Sequence, residues 1–351
     1  MVLAWVAAYI SPAELTLFLV EEPEAHLHPQ LQAAVLNFLD ERARTSFTPK
    51  NDSTVPAGHL QVIVATHSPN LSAWVPSKNL VFVRSVLTKP KIAATAHQVL
   101  DTEPTIPHPS TEQRLARPES RTIPLAKLAL ADPDRRKIDR YLDVTKSALL
   151  FGGRVLLVEG IAEALLVPVL AKYHVLRDKP SDLRVFRSAV FVPIDGVDFL
   201  PYAKVLLTSH NGMRIADRLV IMTDGDKHSV KEGQDLPGVK RKTALESLAS
   251  MHHAASALDV IVNTYSLEAE LVSSGNDAVM KEVYLALHPQ SQDKWDTAIS
   301  NSSDNQALSI QTLFHSTPKG DFAHLLAERI ATSASFVVPD YIQLAIKALV
   351  K

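Results

Sequence analysis

The string RVLLVEGIAEALL at residues 154–166 decides the fold, together with its later counterpart RLVIMTDGDK at residues 218–227. In the first, four apolar residues carry Glu159 to the carboxyl end of a strand. Gly160 permits a tight turn, and Glu163 follows four residues after Glu159 on an opening helix turn. In the second, residues 219–222 carry Asp224 and Asp226 to the end of another strand, where positions i and i+2 project to the same side. In open α/β sheets, sites collect beyond the carboxyl ends of the strands, so all four carboxylates would meet at one rim.

Working outward, SAVFVPIDG (188–196) and ALDVIVNT (257–264) read as further strands. DFLPYAKVLLTSH (198–210) and the basic KRKTALESLASMHH (240–253) read as helices. Strands alternating with helices predict a mainly parallel sheet covered on both faces. Residues 266–351 read as mostly helical, and 136–150 as a helix leading into the first strand.

Four uncompensated carboxylates at close range cannot all stay ionised without a cation. With oxygen ligands and no Cys, the suitable ions are Mg²⁺, Mn²⁺ or Ca²⁺. On such a rim Mg²⁺ implies phosphate chemistry, one ion activating water while another steadies the leaving oxygen. The plainer alternative is that Asp-Gly-Asp is a turn and Glu163 an acid favoured by a helix dipole. Both motifs in this order, at two strand ends, favour the site.

VEG-x-x-E after an apolar strand, then an apolar strand into D-x-D, resembles the Toprim fold of type II topoisomerases, primases and OLD-family nucleases. The lead-in RYLDVTKSALLFGGRVLLVEG (140–160), the later VNTYSLEAEL (262–271) and KGDFAHLLAERI (319–330) are similar to the OLD (overcoming lysogenization defect) proteins in particular. The resemblance implies a Mg²⁺- or Mn²⁺-dependent DNA endonuclease that uses two ions. It implies that Glu159, Glu163, Asp224 and Asp226 are catalytic metal ligands. Glu268 is a candidate supporting acid, and Lys319 a candidate catalytic cation that offsets charge on the attacked phosphate. By spacing alone, Lys319 reads equally as a solvated helix-start lysine, and Glu268 shares its context with Glu270.

The first half carries LTLFLVEEPEAHLHPQLQ (15–32) and QVIVATHSP (61–69), two apolar strands ending in Glu21-Glu22 and in His67. These segments resemble the Walker B, D-loop and switch-histidine parts of ABC-type ATPases. By that resemblance Glu21 takes the magnesium role, Glu22 the catalytic base and His67 the γ-phosphate sensor. His26 and His28 beside three Glu also read as a transition-metal site, or the acids as plain helix caps. No G-x-x-x-x-G-K-[ST] occurs, and only Gly58 precedes Gly152. The nearest string, from Gly233 to Thr243, contains Pro237 and is rejected as a phosphate loop. The expectation is therefore the C-terminal portion of a longer protein, with ATP a cofactor only if the N-terminal part is supplied. Strands without their usual partners would favour self-association, giving a homodimer.

The chain has 351 residues, 36 Lys+Arg against 38 Asp+Glu, 21% charged and 46% hydrophobic residues, which fits about two domains with cores of their own. Zero Cys excludes disulfides, thiolate metal sites and Cys nucleophiles, and fits the cytoplasm. No apolar run is long enough for a membrane span, and the apolar N-terminus lacks the basic start of a signal peptide. A net charge of −2 leaves DNA binding to a local patch, for which Lys227, His228, Lys231, Lys240, Arg241 and Lys242 are the candidates; a solubilising loop is the alternative. Four regions result: 1–85 as an ABC-ATPase fragment, 86–135 as a Pro-rich connector, 136–265 as the Toprim domain, and 266–351 as a helical part completing its site. Rival readings are another Toprim enzyme, such as a topoisomerase or primase, and a non-catalytic scaffold.

Overall fold

The computed structural model describes residues 17–25, 27–46, 60–88, 117–143, 145–227, 230 and 233–351. Expectations that fell on residues 14–16, His26, 89–116, His228 and Lys231 lie outside them.

The first apolar strands form as read. β1 (Leu17–Glu21) leads through a short turn to α1 (Pro29–Ser46) and then β2 (Gln61–Ala65), with β1 and β2 paired parallel. Leu19 (66% exposed) and Ile63 (57%) stand on this pair without cover. A single helical turn, α2 (Pro69–Ser72), is capped by the Ser68 hydroxyl, which accepts from the Leu71 N–H.

β3 (Val81–Thr88) pairs antiparallel with β4 (Arg117–Pro124), so the end of the stretch read as connector is part of the fold. Ile123 and Leu125 are fully buried against the parallel sheet that follows. The Pro-rich composition hid this strand, because Pro118 and Pro124 sit in a two-stranded ribbon where a missing N–H is tolerated. α3 (Asp132–Tyr141) and a 3-10 turn at Lys146–Leu150 replace the single helix expected over 136–150.

The central layer is a four-stranded, wholly parallel sheet in the order β6-β5-β7-β8. Its members are β5 (Arg154–Val158), β6 (Val190–Pro193), β7 (Arg218–Thr223) and β8 (Leu258–Val262). The connecting helices are α4 (Ile161–Leu170) and α5 (Pro180–Arg187) after β5, α6 (Leu200–Leu207) after β6, and α7 (Pro237–Met251) after β7. Alternate residues of each strand feed two cores. Leu156, Val158, Val220 and Met222 face one, and Val155, Leu157, Leu219 and Ile221 the other. This is the mixed α/β fold with parallel strands between helices that the strand pattern predicts.

The C-terminal third is helical: α8 (Leu267–Leu271), α9 (Asp277–Leu287), α10 (Gln292–Ile299), α11 (Ser303–Phe314), α12 (Lys319–Thr332) and α13 (Asp340–Val350). It covers the sheet rather than hanging from it. α12 packs along α4, and α13 lies against β7 and β8. Arg154 and Arg218, at the starts of β5 and β7, donate to the Leu349 (2.7 Å) and Ala348 (2.8 Å) carbonyls, so two cations cap the end of α13. Among the described residues no helix is long and apolar enough to cross a membrane.

Candidate functional site

The carboxyl ends of β5, β7 and β8 open on one side of the sheet, and the acids on them converge. Glu159, one residue past β5, reaches across to β7. Its Oε1 accepts from the Thr223 hydroxyl and from the Asp224 N–H at 2.8 Å. Asn263, just past β8, closes the other side. Its Nδ2 donates to Asp224 Oδ1 at 2.6 Å, and its Oδ1 accepts from the Gly225 N–H at 2.9 Å. One hydrogen-bonded chain therefore ties three strand ends together.

The Asp-Gly-Asp loop depends on its glycine and on a second one. A Cβ on Gly225 would fall against the Asn263 and Thr264 carbonyl oxygens. A Cβ on Gly238, in the first turn of α7, would fall against the Asp224 carbonyl. Only bare backbone allows α7 to start this close to the loop. Asp226 follows with φ of 55°, a left-handed conformation that residues other than glycine rarely adopt, and such backbone concentrates at functional sites.

Glu163 on α4 is buried, and Glu268 on α8 is more so, with a side chain only 3% exposed. Lys319, at the start of α12, places Nζ 3.3 Å from Glu268 Oε1 and remains half exposed. Burial is the first cause that raises the Glu163 carboxyl to about 7, with the charges of Glu268 and Glu159 adding to it. Burial, then Glu159 and Glu163, push Asp224 well above the usual carboxylate range. Glu159 is also raised by burial, against the opposing bonds from Thr223, Asp224 and Arg241. Burial alone would lower Lys319, but Glu268, Glu163 and Asp224 raise it and hold its charge.

Arg241 differs from its chain neighbours. Read from the sequence as part of a basic run next to the acidic rim, it is turned inward from α7. Its Nε donates to Thr223 Oγ1 at 2.9 Å, and its Nη2 lies 3.0 Å from Asp226 Oδ2 and 3.4 Å from Glu159 Oε1. The same Nη2 donates to the Asp224 carbonyl. Its side chain is 18% exposed. Of the other patch residues, Lys240 is exposed, Lys242 lies 3.8 Å from Glu246, and Lys227 Nζ sits 5.2 Å from the Tyr265 ring centroid.

Three contributors escaped the sequence reading. Thr223 and Asn263 stand at strand ends, a position that could have signalled them. Tyr341 on α13 brings a buried hydroxyl beside Asn263 without a hydrogen bond of normal geometry. Burial and the charges of Asp224 and Glu163 keep that phenol protonated. Its signal was only one aromatic in an amphipathic helix.

In the first half, Glu22 and His67 meet, with Nε2 3.8 Å from Oε1, while Glu21 closes the β1 register opposite Ala65. Both side chains of the pair are more than half exposed. Glu24, read from sequence as one of the three acids beside His26 and His28, holds the second strand end: its Oε1 accepts from the Thr66 hydroxyl at 2.5 Å and the His67 N–H at 3.0 Å.

The oxygen-only donor set fits a hard divalent ion, and the buried, charge-disfavoured carboxylates of Glu163 and Asp224 are the kind a cation would return to the ionised form. Among the described residues, however, no three His, Asp or Glu side chains already surround one point as a metal cage.

Comparisons with known proteins fit both halves. Residues 2–73 match the family described as "AAA domain, putative AbiEii toxin, Type IV TA system". Endonuclease GajA of Bacillus cereus (strain HuB5-5) is 24% identical over 229 residues, covering 64% of this chain and 29% of that protein. The chain thus spans less than a third of that relative's length. Among solved structures, the C-terminal region of the Burkholderia pseudomallei OLD protein is similar at 22% identity and a TM-score of 0.43, covering 56% of this chain and 95% of that one. The C-terminal region of the Xanthomonas campestris pv. campestris OLD protein is similar at 24% identity and a TM-score of 0.39, covering 57% of this chain and 94% of that one. The family match thus falls on the first half of the chain, and the similarity to the endonuclease extends over 229 residues.

Proposed function

We propose that this OLD-like chain is the Toprim-bearing part of a DNA endonuclease, whose acidic rim hydrolyses phosphodiester bonds with two divalent ions, Mg²⁺ or Mn²⁺. The observation that carries it is the gathering of Glu159, Glu163, Asp224, Asp226 and Glu268 from separate strand ends and helices, two of them too buried to ionise freely. The similarity to Endonuclease GajA supports the reaction class.

Glu159, Glu163, Asp224 and Asp226 would hold the ions, with Glu268 supporting them. Such ions would activate water for attack and offset charge on the attacked phosphate. The chain's own part is to orient. Asn263 and the Asp224 N–H fix the acids, and Lys319 holds a positive charge at the rim's edge, where charge develops on the phosphate. Lys227, Lys240 and Lys242 lie on the approach and would steady the DNA backbone in a salt-dependent way.

Glu21, Glu22 and His67 belong in this proposal to a nucleotide site that needs a phosphate cradle from elsewhere. The uncovered Leu19 and Ile63 suit contact with a second copy. The rival, a scaffold without catalysis, has one observation in its favour: Arg241 already neutralises part of the rim. A plasmid-nicking assay with Mg²⁺, Mn²⁺ or EDTA separates them. The nuclease reading requires metal-dependent nicking that Asp224→Ala and Glu159→Ala both abolish. Nicking that survives in either variant, or none with any metal, sinks it.

A further inference from the structure

We propose that Arg241 is a built-in counter-cation of the rim, which competes with the divalent ion for Glu159 and Asp226 and is released when that ion binds. The inference rests on the reading that the rim takes a divalent cation, and adds the device that regulates its loading.

The geometry argues for competition rather than for a static strut. The guanidinium does not pair with one acid. It spans the position where the acids from two strands approach each other, touching Glu159, Asp226 and the Asp224 carbonyl at once. Those are the oxygens a hard cation would take. An ion that takes these oxygens competes with the guanidinium for the same lone pairs, and the two positive charges repel at such range.

Release is also provided for. Arg241 lies in the first turns of α7, and its side chain is partly exposed, with Lys240 and Lys242 as chain neighbours. A rotamer change carries the guanidinium from the rim to that basic surface without moving the helix. The departing charge then adds to the surface a phosphate backbone would meet. Metal loading and nucleic-acid affinity would thereby be coupled through one side chain.

Two measurements on the full chain test this without relying on cleavage. The first follows the Arg241 Nε–H by ¹H–¹⁵N NMR during a Mg²⁺ titration, the signal being assigned by its loss in Arg241→Lys. In EDTA the bond to Thr223 Oγ1 should protect this proton, and saturating Mg²⁺ should move the signal to that of a free guanidinium. The second compares Mn²⁺ affinity by calorimetry in wild type and Arg241→Gln. Removing the competitor should tighten binding by about 5- to 150-fold, the usual range for coupling between two ligands. An Nε–H that stays protected at saturating Mg²⁺, or an affinity unchanged or weakened in Arg241→Gln, overturns the role of Arg241 while leaving the rim a metal site. No Mn²⁺ binding in either protein removes both the competition and the metal reading beneath it.

Discussion

Replacing Glu163 by Gln tests the electrostatics of the rim independently of any reaction. In the folded chain this carboxyl titrates near pH 7, whereas its ordinary value is 4.5. Between those values the unfolded chain has lost the proton and the folded chain keeps it. The folded state then binds more protons, so stability falls as pH rises from about 4.5 and levels off above about 7. A gap of about 2.5 units at roughly 1.4 kcal/mol each makes this one group cost the metal-free fold about 3 kcal/mol at pH 8. Gln has nearly the same shape and no charge to bury. Urea unfolding in EDTA should therefore find Glu163→Gln close to wild type at pH 4 and about 3 kcal/mol more stable at pH 8. Glu159 and Asp224 are raised as well, so the Glu163→Gln variant should keep a residual slope of the same sign. Parallel stability curves for the two proteins across that range would refute the claim that Glu163 is held in its neutral form by burial.

Other substitutions probe the supports of the rim. Gly238→Ala drives a methyl into the Asp224 carbonyl, and should lower stability by about 1–3 kcal/mol, seen as a reduced urea midpoint. Tyr341→Phe removes a buried hydroxyl with no proper partner, so thermal melting should show a gain of about 1 kcal/mol rather than a loss. Phe322→Ala hollows the contact where Phe322 meets Phe314 at 4.6 Å between ring centroids, and should cost about 3–5 kcal/mol by chemical denaturation.

What could be read from the sequence follows from which signals are local. β5 and β7 were legible because a buried parallel strand is a continuous apolar run, and each ends in acids that no core would take. That the acids from the two strands would meet followed from the general position of sites in parallel sheets. β4 was not legible. RPESRTIP has two prolines and only one strongly apolar residue, and its strand state comes from pairing with β3, thirty or so residues away in sequence. Arg241 was not singled out from its neighbours for a related reason. Lys240, Arg241 and Lys242 look alike as a run of charges, and only the close seating of α7 on Gly225 decides which of the three turns inward. Tyr341 gave no signal of its own, since its role exists only once α13 is packed beside β7.

The rim draws on pieces spread from Glu159 to Lys319, with α12 and α13 laid over them last in sequence order. A ribosome delivers those pieces in the same order. While β5 to β7 are emerging, the acids are present but the helices that bury Glu163 and Glu268 and bring the lysine are not yet made. The rim is therefore complete only once α12 and α13 have been made. A message broken before α12 yields a product whose α4 lacks its partner helix and keeps an open apolar face.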